Sequence, residues 1–230
     1  MPLTKLTPAI DQRLASLQEF YRRSQEKPRV PETHPTVTFS REFGCEAFPT
    51  AEKLKAILEE RTKETWTILD KSLMAVVEKE NGLEQGILSS LGQRPLWLDE
   101  FFATFSAKWK SEKDRYQLLC QRFVSLARNG NVIIVGMGSP IVTQPLNNCF
   151  HFRLYGSEEF KIKSIARRLG ISKMEAQETI DKMQKLRDKF LKEFLDREPE
   201  DLSLYHLVFN NDRNTPERMA EIIARYVLGS

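Results

Sequence analysis

Val37-Thr38-Phe39-Ser40-Arg41-Glu42-Phe43-Gly44-Cys45-Glu46-Ala47-Phe48-Pro49-Thr50, followed by Leu54, Ile57 and Leu58, is the stretch that decides the fold of this chain. A β-branched and aromatic run, a turn at Gly44 and helix-periodic aliphatic residues predict a strand, a loop and a helix. That is the layout of a phosphate-binding loop, in which backbone N–H groups and a helix start cradle phosphate oxygens. The strict pattern G-x-x-x-x-G-K-[ST] would place a lysine near Ala47 and a hydroxyl near Phe48 or Pro49, and the chain has neither.

The helix start carries two further signals. Pro49 suits the first position of a helix and biases Phe48 toward an extended backbone. Glu46 is favoured there by the helix dipole, so its carboxylate either takes the place of a phosphate or points into solvent from a surface turn.

Composition narrows the class of protein. The net charge of +3, from 35 basic and 32 acidic residues among 230, is too balanced to indicate general nucleic-acid binding. No apolar run approaches the roughly 18 residues of a membrane span. Three distant cysteines suit a reducing compartment and three scattered histidines form no metal-ligand spacing, so we expect a cytoplasmic protein without a bound metal cluster.

Further strands and helices alternate along the chain. Buried strands are predicted at 65–69, 132–136, 149–155 and within 201–210. Helices are predicted from Ser72 to Lys79, from a capping box at Ser111 to Ala127, from Glu158 to Leu169, from a second capping box at Ser172 to about Asp196, and from Pro216 to Val227. Together with the opening stretch they predict an α/β fold of three layers around a five-stranded parallel sheet.

The N-terminal residues 1–35 form an extension to the domain at 36–230. A helix is predicted from Pro8 to about Ser24, followed by a linker with three prolines. We expect this helix to pack on its own domain, on a protein partner or on a second copy of the chain.

Three stretches resemble the cytidylate kinase-like family. Thr38 to Gly44 with Ala51-Glu52-Lys53-Leu54 is similar to its opening T-I-S-R-E-F-G-S-G-G-R-x-I-A-x-x-L. Residues 168–172 with Glu175-Ala176 resemble its R-x-G-I-S-x-x-E-A, and 201–210 with Arg213 resemble D-P-S-L-Y-D-L-V-x-N-x-x-R. The resemblance covers about residues 36–228 and implies a P-loop kinase-like fold with a helical lid in 157–197.

The chain departs from the family at two ligand-facing places. Cys45-Glu46-Ala47-Phe48 stands where the family has S-G-G-R, and Gly136-Met137-Gly138 stands where it has G-R-G. An arginine is a natural fork for phosphate, and Met137 cannot take that role.

The resemblance implies a set of site residues. Lid cations and a carboxylate at a strand end would serve catalysis, here Lys185, Arg187 and Asp70. Nucleotide contacts would come from Ser40, Arg41, Gly44, Thr50, Asn210 and Arg213. Asp70 is equally suited to cap the next helix, and the lid cations to a solvated helix face. The aromatic insert at 80–110 would cover the phosphoryl acceptor or form core.

Two functions of different classes follow. The family implies transfer of a phosphoryl group from ATP, with Mg²⁺, to a nucleoside monophosphate such as CMP. The altered loop and Met137 favour instead an inactive nucleotide-binding or protein-interaction module on the same fold. The sequence leaves both open, together with a structural subunit that binds a partner through its N-terminal helix and insert.

Overall fold

The structure, a computed structural model, describes residues 34–70, 110–195 and 200–229, with single positions 15, 19, 73, 197 and 198. The predicted N-terminal helix, the helix after Asp70 and the aromatic insert therefore lie outside the described residues, apart from a few positions.

Five parallel strands form one sheet in the order β2-β3-β1-β4-β5. They are β1 Thr36–Arg41, β2 Thr67–Asp70, β3 Val132–Val135, β4 Cys149–Tyr155 and β5 Leu207–Asn210. The first strand occupies the centre, so its carboxyl end opens where the strand order reverses. In open α/β sheets such a crevice is where ligands bind.

Six helices surround this sheet in the described part of the chain. They are α1 Ala47–Thr62, α2 Lys110–Asn129, α3 Ser139–Val142, α4 Glu158–Leu169, α5 Lys173–Leu195 and α6 Pro216–Leu228, with a 3-10 turn at Leu202–Leu204 before β5. The predicted three-layer α/β fold with a five-stranded parallel sheet is confirmed.

The two faces of the sheet carry separate cores because side chains alternate along each strand. In β3, Val132 and Ile134 pack with α2, α3 and the end of α5, whereas Ile133 and Val135 pack with α1 and α6. This two-sided burial is why the strand reads as an unbroken apolar run.

Helix boundaries follow local capping chemistry where the prediction is confirmed. The hydroxyl of Ser172 accepts from the Glu175 N–H at 3.2 Å, and the Ser172 N–H donates to the Glu175 carboxylate at 2.9 Å, which is the predicted capping box. Gly170 ends α4 with a φ of +69°.

Two predicted helix starts are wrong. Ser111 lies inside α2, which already includes Lys110, so it is not the N-cap. Helix α1 begins at Ala47, which puts Phe48 in helical conformation and Pro49 at the third position. Proline is tolerated there because the first N–H groups of a helix have no intrahelical acceptor.

Helices α4 and α5, here called the lid, have a small core of their own. Ile165 and Leu169 of α4 pack with Ala176 and Ile180 of α5, and the loop residue Phe43 completes the cluster at 4% exposure. The lid is therefore packed directly on the loop that follows β1. Among the described helices, none is long and apolar enough to cross a membrane.

Candidate functional site

A cavity opens at the carboxyl ends of β1, β3 and β4, under helix α5. Its volume is about 60 Å³, well above the roughly 10–15 Å³ that one water needs on the same measure. It is lined by Ser40, Arg41, Gly136, Met137, Gly138, Pro140, Ile141, Arg153, Gln184, Arg187, Asp188, Phe190, Leu191 and Tyr205. We call it the arginine cavity, because three arginines line it.

Arg153 comes from β4 and lies opposite Ser40 of β1 in the sheet register. Its side chain is 6% exposed, and Nη1 donates to the Ser40 hydroxyl at 3.1 Å. The hydroxyl of Tyr205 also bonds to Ser40 Oγ, at 3.2 Å, and the Arg153 guanidinium carbon lies 5.7 Å from the Tyr205 ring centroid. Arg153 was not among the predicted site residues, because His151 and Tyr155 alternate with it along the same strand and nothing local distinguishes it from them.

Arg41 reaches the cavity across the backbone of Gly136. A Cβ at Gly136, whose φ is +83°, would stand 1.8 Å from Arg41 Nη1, so only glycine leaves this path open. Burial lowers the pKa of the Arg41 guanidinium to about 10, and the Asp70 carboxylate opposes part of that shift. The group stays charged at neutral pH.

Arg187 brings the third guanidinium down from the lid. It lies over the ring of Phe43, 4.8 Å from its centroid, and Nη1 donates to the Arg41 carbonyl at 3.3 Å. Burial lowers the pKa of Arg187 well below its usual range, and the positive charge of Arg41 acts in the same direction. A bound anion would raise the pKa values of Arg41 and Arg187 again, because an opposite charge favours the charged form of each arginine.

In the loop between β1 and α1, four of the five backbone N–H groups donate to acceptors within the protein. Glu42 donates to the Leu154 carbonyl at 3.1 Å, and Cys45 to the Glu42 carbonyl at 3.3 Å. Phe43 donates to the Gln184 side chain at 2.7 Å, and Glu46 to the Asn211 side chain at 2.7 Å. These four donors are the kind that a phosphate-binding loop offers to its ligand, and here protein oxygens occupy them.

Glu46 occupies the N-cap position of α1 but does not cap it with its side chain. The residue is 8% exposed, and its carboxylate pairs with Arg167 at 2.5 Å and accepts from Ser164 at 3.4 Å. The prediction that Glu46 points into solvent from a surface turn is therefore wrong. The carboxylate joins the loop to α4 and does not cap α1.

The other loop and strand-end residues predicted for the site have different surroundings. Thr50 is fully buried and donates to the Glu46 carbonyl at 2.8 Å, as part of α1. Gly44 has a φ of +105°, and a Cβ there would meet Lys161 of α4 at 2.7 Å. Asp70 accepts from the Leu73 N–H at 3.0 Å, the contact of a helix cap.

Three more predicted residues lie outside the arginine cavity. Lys185 is exposed on α5 and Arg213 is exposed after β5. Asn210 closes a turn, where its side chain accepts from the Asp212 N–H at 2.9 Å. Of the predicted site residues, the structure brings together Ser40, Arg41 and Arg187.

The residues present do not fit a Mg²⁺ ion of the kind a kinase uses. The Thr50 hydroxyl and one oxygen of Asp70 are engaged by backbone groups. Asp70 interacts electrostatically with the Arg41 guanidinium, whose positive charge would repel a cation. In the described part of the chain, no group of three or more His, Cys, Asp or Glu could hold a metal.

The fold and the covered crevice define a class of protein, the P-loop kinase-like α/β domains with a helical lid. The model of the cytidylate kinase-like family matches residues 36–213, so the chain belongs to that family. A crystal structure of an uncharacterized protein from Eubacterium ventriosum ATCC 27560 shares the fold, with a TM-score of 0.63 and 16% identity over 86% of this chain and all of that one. No curated protein matches the chain.

Proposed function

We propose that this protein binds a nucleotide by its phosphate group in the arginine cavity and transfers phosphoryl groups weakly or not at all. Family membership supports the nucleotide as the ligand class. The observation that carries the proposal is the contrast between a cavity lined by three arginines and a loop in which four of the five N–H groups already have protein acceptors.

The cavity favours a nucleoside monophosphate, such as CMP, over a triphosphate. Arg41, Arg153 and Arg187 present guanidinium groups, which match phosphate oxygens in pairs. A cavity of about 60 Å³ suits one phosphoryl group. The Ser40 hydroxyl accepts from Arg153 and from Tyr205, so its own proton is left to donate to a phosphate oxygen.

Efficient transfer of a phosphoryl group from ATP needs residues that bind the β- and γ-phosphates and a Mg²⁺ ion that bridges them. The chain has no lysine in its loop, four of the five loop N–H groups are engaged, and Asp70 interacts with Arg41. We therefore infer that turnover falls far below the roughly 1–100 s⁻¹ of competent kinases.

Kinase activity on CMP is the second candidate, and the family match favours it. Calorimetric titration with CMP, CDP and ATP, followed by a coupled ADP-release assay with Mg²⁺, separates the two. We expect CMP to bind with little or no turnover. Turnover of 1 s⁻¹ or more would contradict the proposed function, and so would a result in which none of the three nucleotides binds.

A further inference from the structure

The side chain of Gln184 joins the lid to the loop at the wall of the arginine cavity. Its Oε1 accepts the Phe43 N–H at 2.7 Å, and its Nε2 donates to the Asp188 carboxylate at 2.7 Å. Both Gln184 and Asp188 line the cavity. Gln184 thus occupies, from the cavity wall, a loop N–H that an oxygen of a bound anion would otherwise be free to accept.

Neighbouring contacts hold this arrangement in place. Phe43 is buried in the lid core, and Arg187, one turn along from Gln184, covers its ring. Asp188 fixes the orientation of the Gln184 amide, so that its oxygen rather than its nitrogen faces the loop. The lid thus carries its own acceptor into the site.

We propose that Gln184 is an autoinhibitory latch, an intramolecular competitor that a phosphate must displace from the Phe43 N–H before it binds fully. The identity of the ligand rests on the function proposed above, whereas the latch itself rests on the Gln184 contacts. A phosphate oxygen is a charged acceptor and forms a stronger hydrogen bond than a neutral amide oxygen. Displacement is therefore feasible, and it lowers the measured affinity.

Gln184→Ala tests the latch, because alanine removes the competing oxygen and suits a helix. The chain offers a matched control on the same helix: Gln177 donates to Asp181 at 3.0 Å, the same i,i+4 pair, on an exposed part of α5. We expect Gln184→Ala to bind inorganic phosphate and CMP about 3- to 10-fold more tightly than wild type, the range of one neutral hydrogen bond. Gln177→Ala should match wild type.

Hydrogen exchange of the Phe43 amide gives a readout that needs no ligand. It should lose protection in Gln184→Ala, keep it in Gln177→Ala, and regain it when phosphate is added to Gln184→Ala.

The outcomes separate the latch from the proposed function. Unchanged or weaker binding of phosphate and CMP by Gln184→Ala would overturn the latch, even if wild type binds CMP as proposed. Tighter phosphate binding without any CMP binding would support the latch and contradict the nucleotide. If neither ligand binds either protein, both proposals fail, whatever the Phe43 amide does.

Discussion

The guanidinium of Arg187 lies over the ring of Phe43, with its central carbon 4.8 Å from the ring centroid. Through this contact one lid residue reaches both the loop and the arginine cavity. Loss of Arg187 should therefore affect the stability of the lid and the affinity for a phosphate.

Arg187→Ala should weaken CMP binding by about 1.5–3 kcal/mol, the range for hydrogen bonds to charged groups. It should also lower the free energy of unfolding by roughly 0.5–2 kcal/mol, because a partly desolvated cation–π contact is lost. Calorimetry and urea unfolding measure the two effects. Lys182→Ala removes an exposed charge from the same helix and should change neither by more than about 0.5 kcal/mol. If Arg187→Ala and wild type bind CMP with equal affinity, the lid does not contribute to the binding site.

Gly136→Ala should displace the Arg41 guanidinium from the cavity, because the new methyl group would stand 1.8 Å from Nη1. The left-handed backbone adds strain of about 1–3 kcal/mol. Gly170→Ala supplies the control, since Gly170 has a similar φ of +69° and nothing within 4 Å of its missing Cβ. Both variants should lose stability in urea, and only Gly136→Ala should lose affinity for CMP. A parallel loss of affinity in both would show that strain, rather than Arg41, is responsible.

The Glu46–Arg167 pair should contribute to stability without inhibiting nucleotide binding. The Arg167 side chain is 73% exposed and that of Glu46 is 10% exposed, so we expect a coupling energy of about 1 kcal/mol, near the top of the range for exposed pairs. A double-mutant cycle of Glu46→Gln and Arg167→Gln in urea measures it. The affinity of Glu46→Gln for ATP should equal that of wild type. A clear gain in ATP affinity, shrinking at high salt, would revive the idea that this carboxylate occupies a phosphate site.

His151 should make the protein less stable in acid. Its ring bonds to the Thr38 hydroxyl at 2.7 Å, and burial, with a smaller effect of His206, lowers its pKa to about 3. Because an unfolded histidine titrates near 6.5, the unfolded chain takes up this proton first. Stability should therefore fall as the pH drops from about 6.5 to about 3.

Urea unfolding of wild type and His151→Gln between pH 4 and pH 7.5 isolates the effect of His151. The carboxylates contribute equally to the pH dependence of both proteins, so their contribution cancels in the comparison. The wild-type free energy of unfolding should have the steeper slope, by up to one proton. Identical slopes would show that His151 titrates normally in the folded protein.

The fold was predictable from sequence because its signals are local. The apolar run at Val132–Val135 and the capping box at Ser172 each fix an element by themselves, and parallel strands with intervening helices leave few arrangements. The starts of α1 and α2 were harder, since Pro49 is tolerated at more than one position in the first turn.

The site was predicted only in part, because it depends on distances across the sheet. Ser40 and Arg41 are the last two residues of β1 and were identified, whereas Arg153 is recognisable only once β4 lies beside β1. The use of the Phe43 N–H by Gln184 joins residues 141 positions apart. No local pattern reports such a contact.

The most direct test of the central claim is a calorimetric titration of CMP into wild type, Arg153→Gln and Arg218→Gln. Arg153 is 5% exposed at the floor of the arginine cavity, and Arg218 is an exposed arginine on α6 with the same charge. Thermal unfolding first establishes that each variant is folded. If Arg153→Gln does not fold, Ser40→Ala replaces it as a milder change at the same hydrogen bond. CMP should bind to wild type and Arg218→Gln with equal affinity, and to Arg153→Gln about 10-fold or more weakly. Wild-type affinity in folded Arg153→Gln would contradict the central claim.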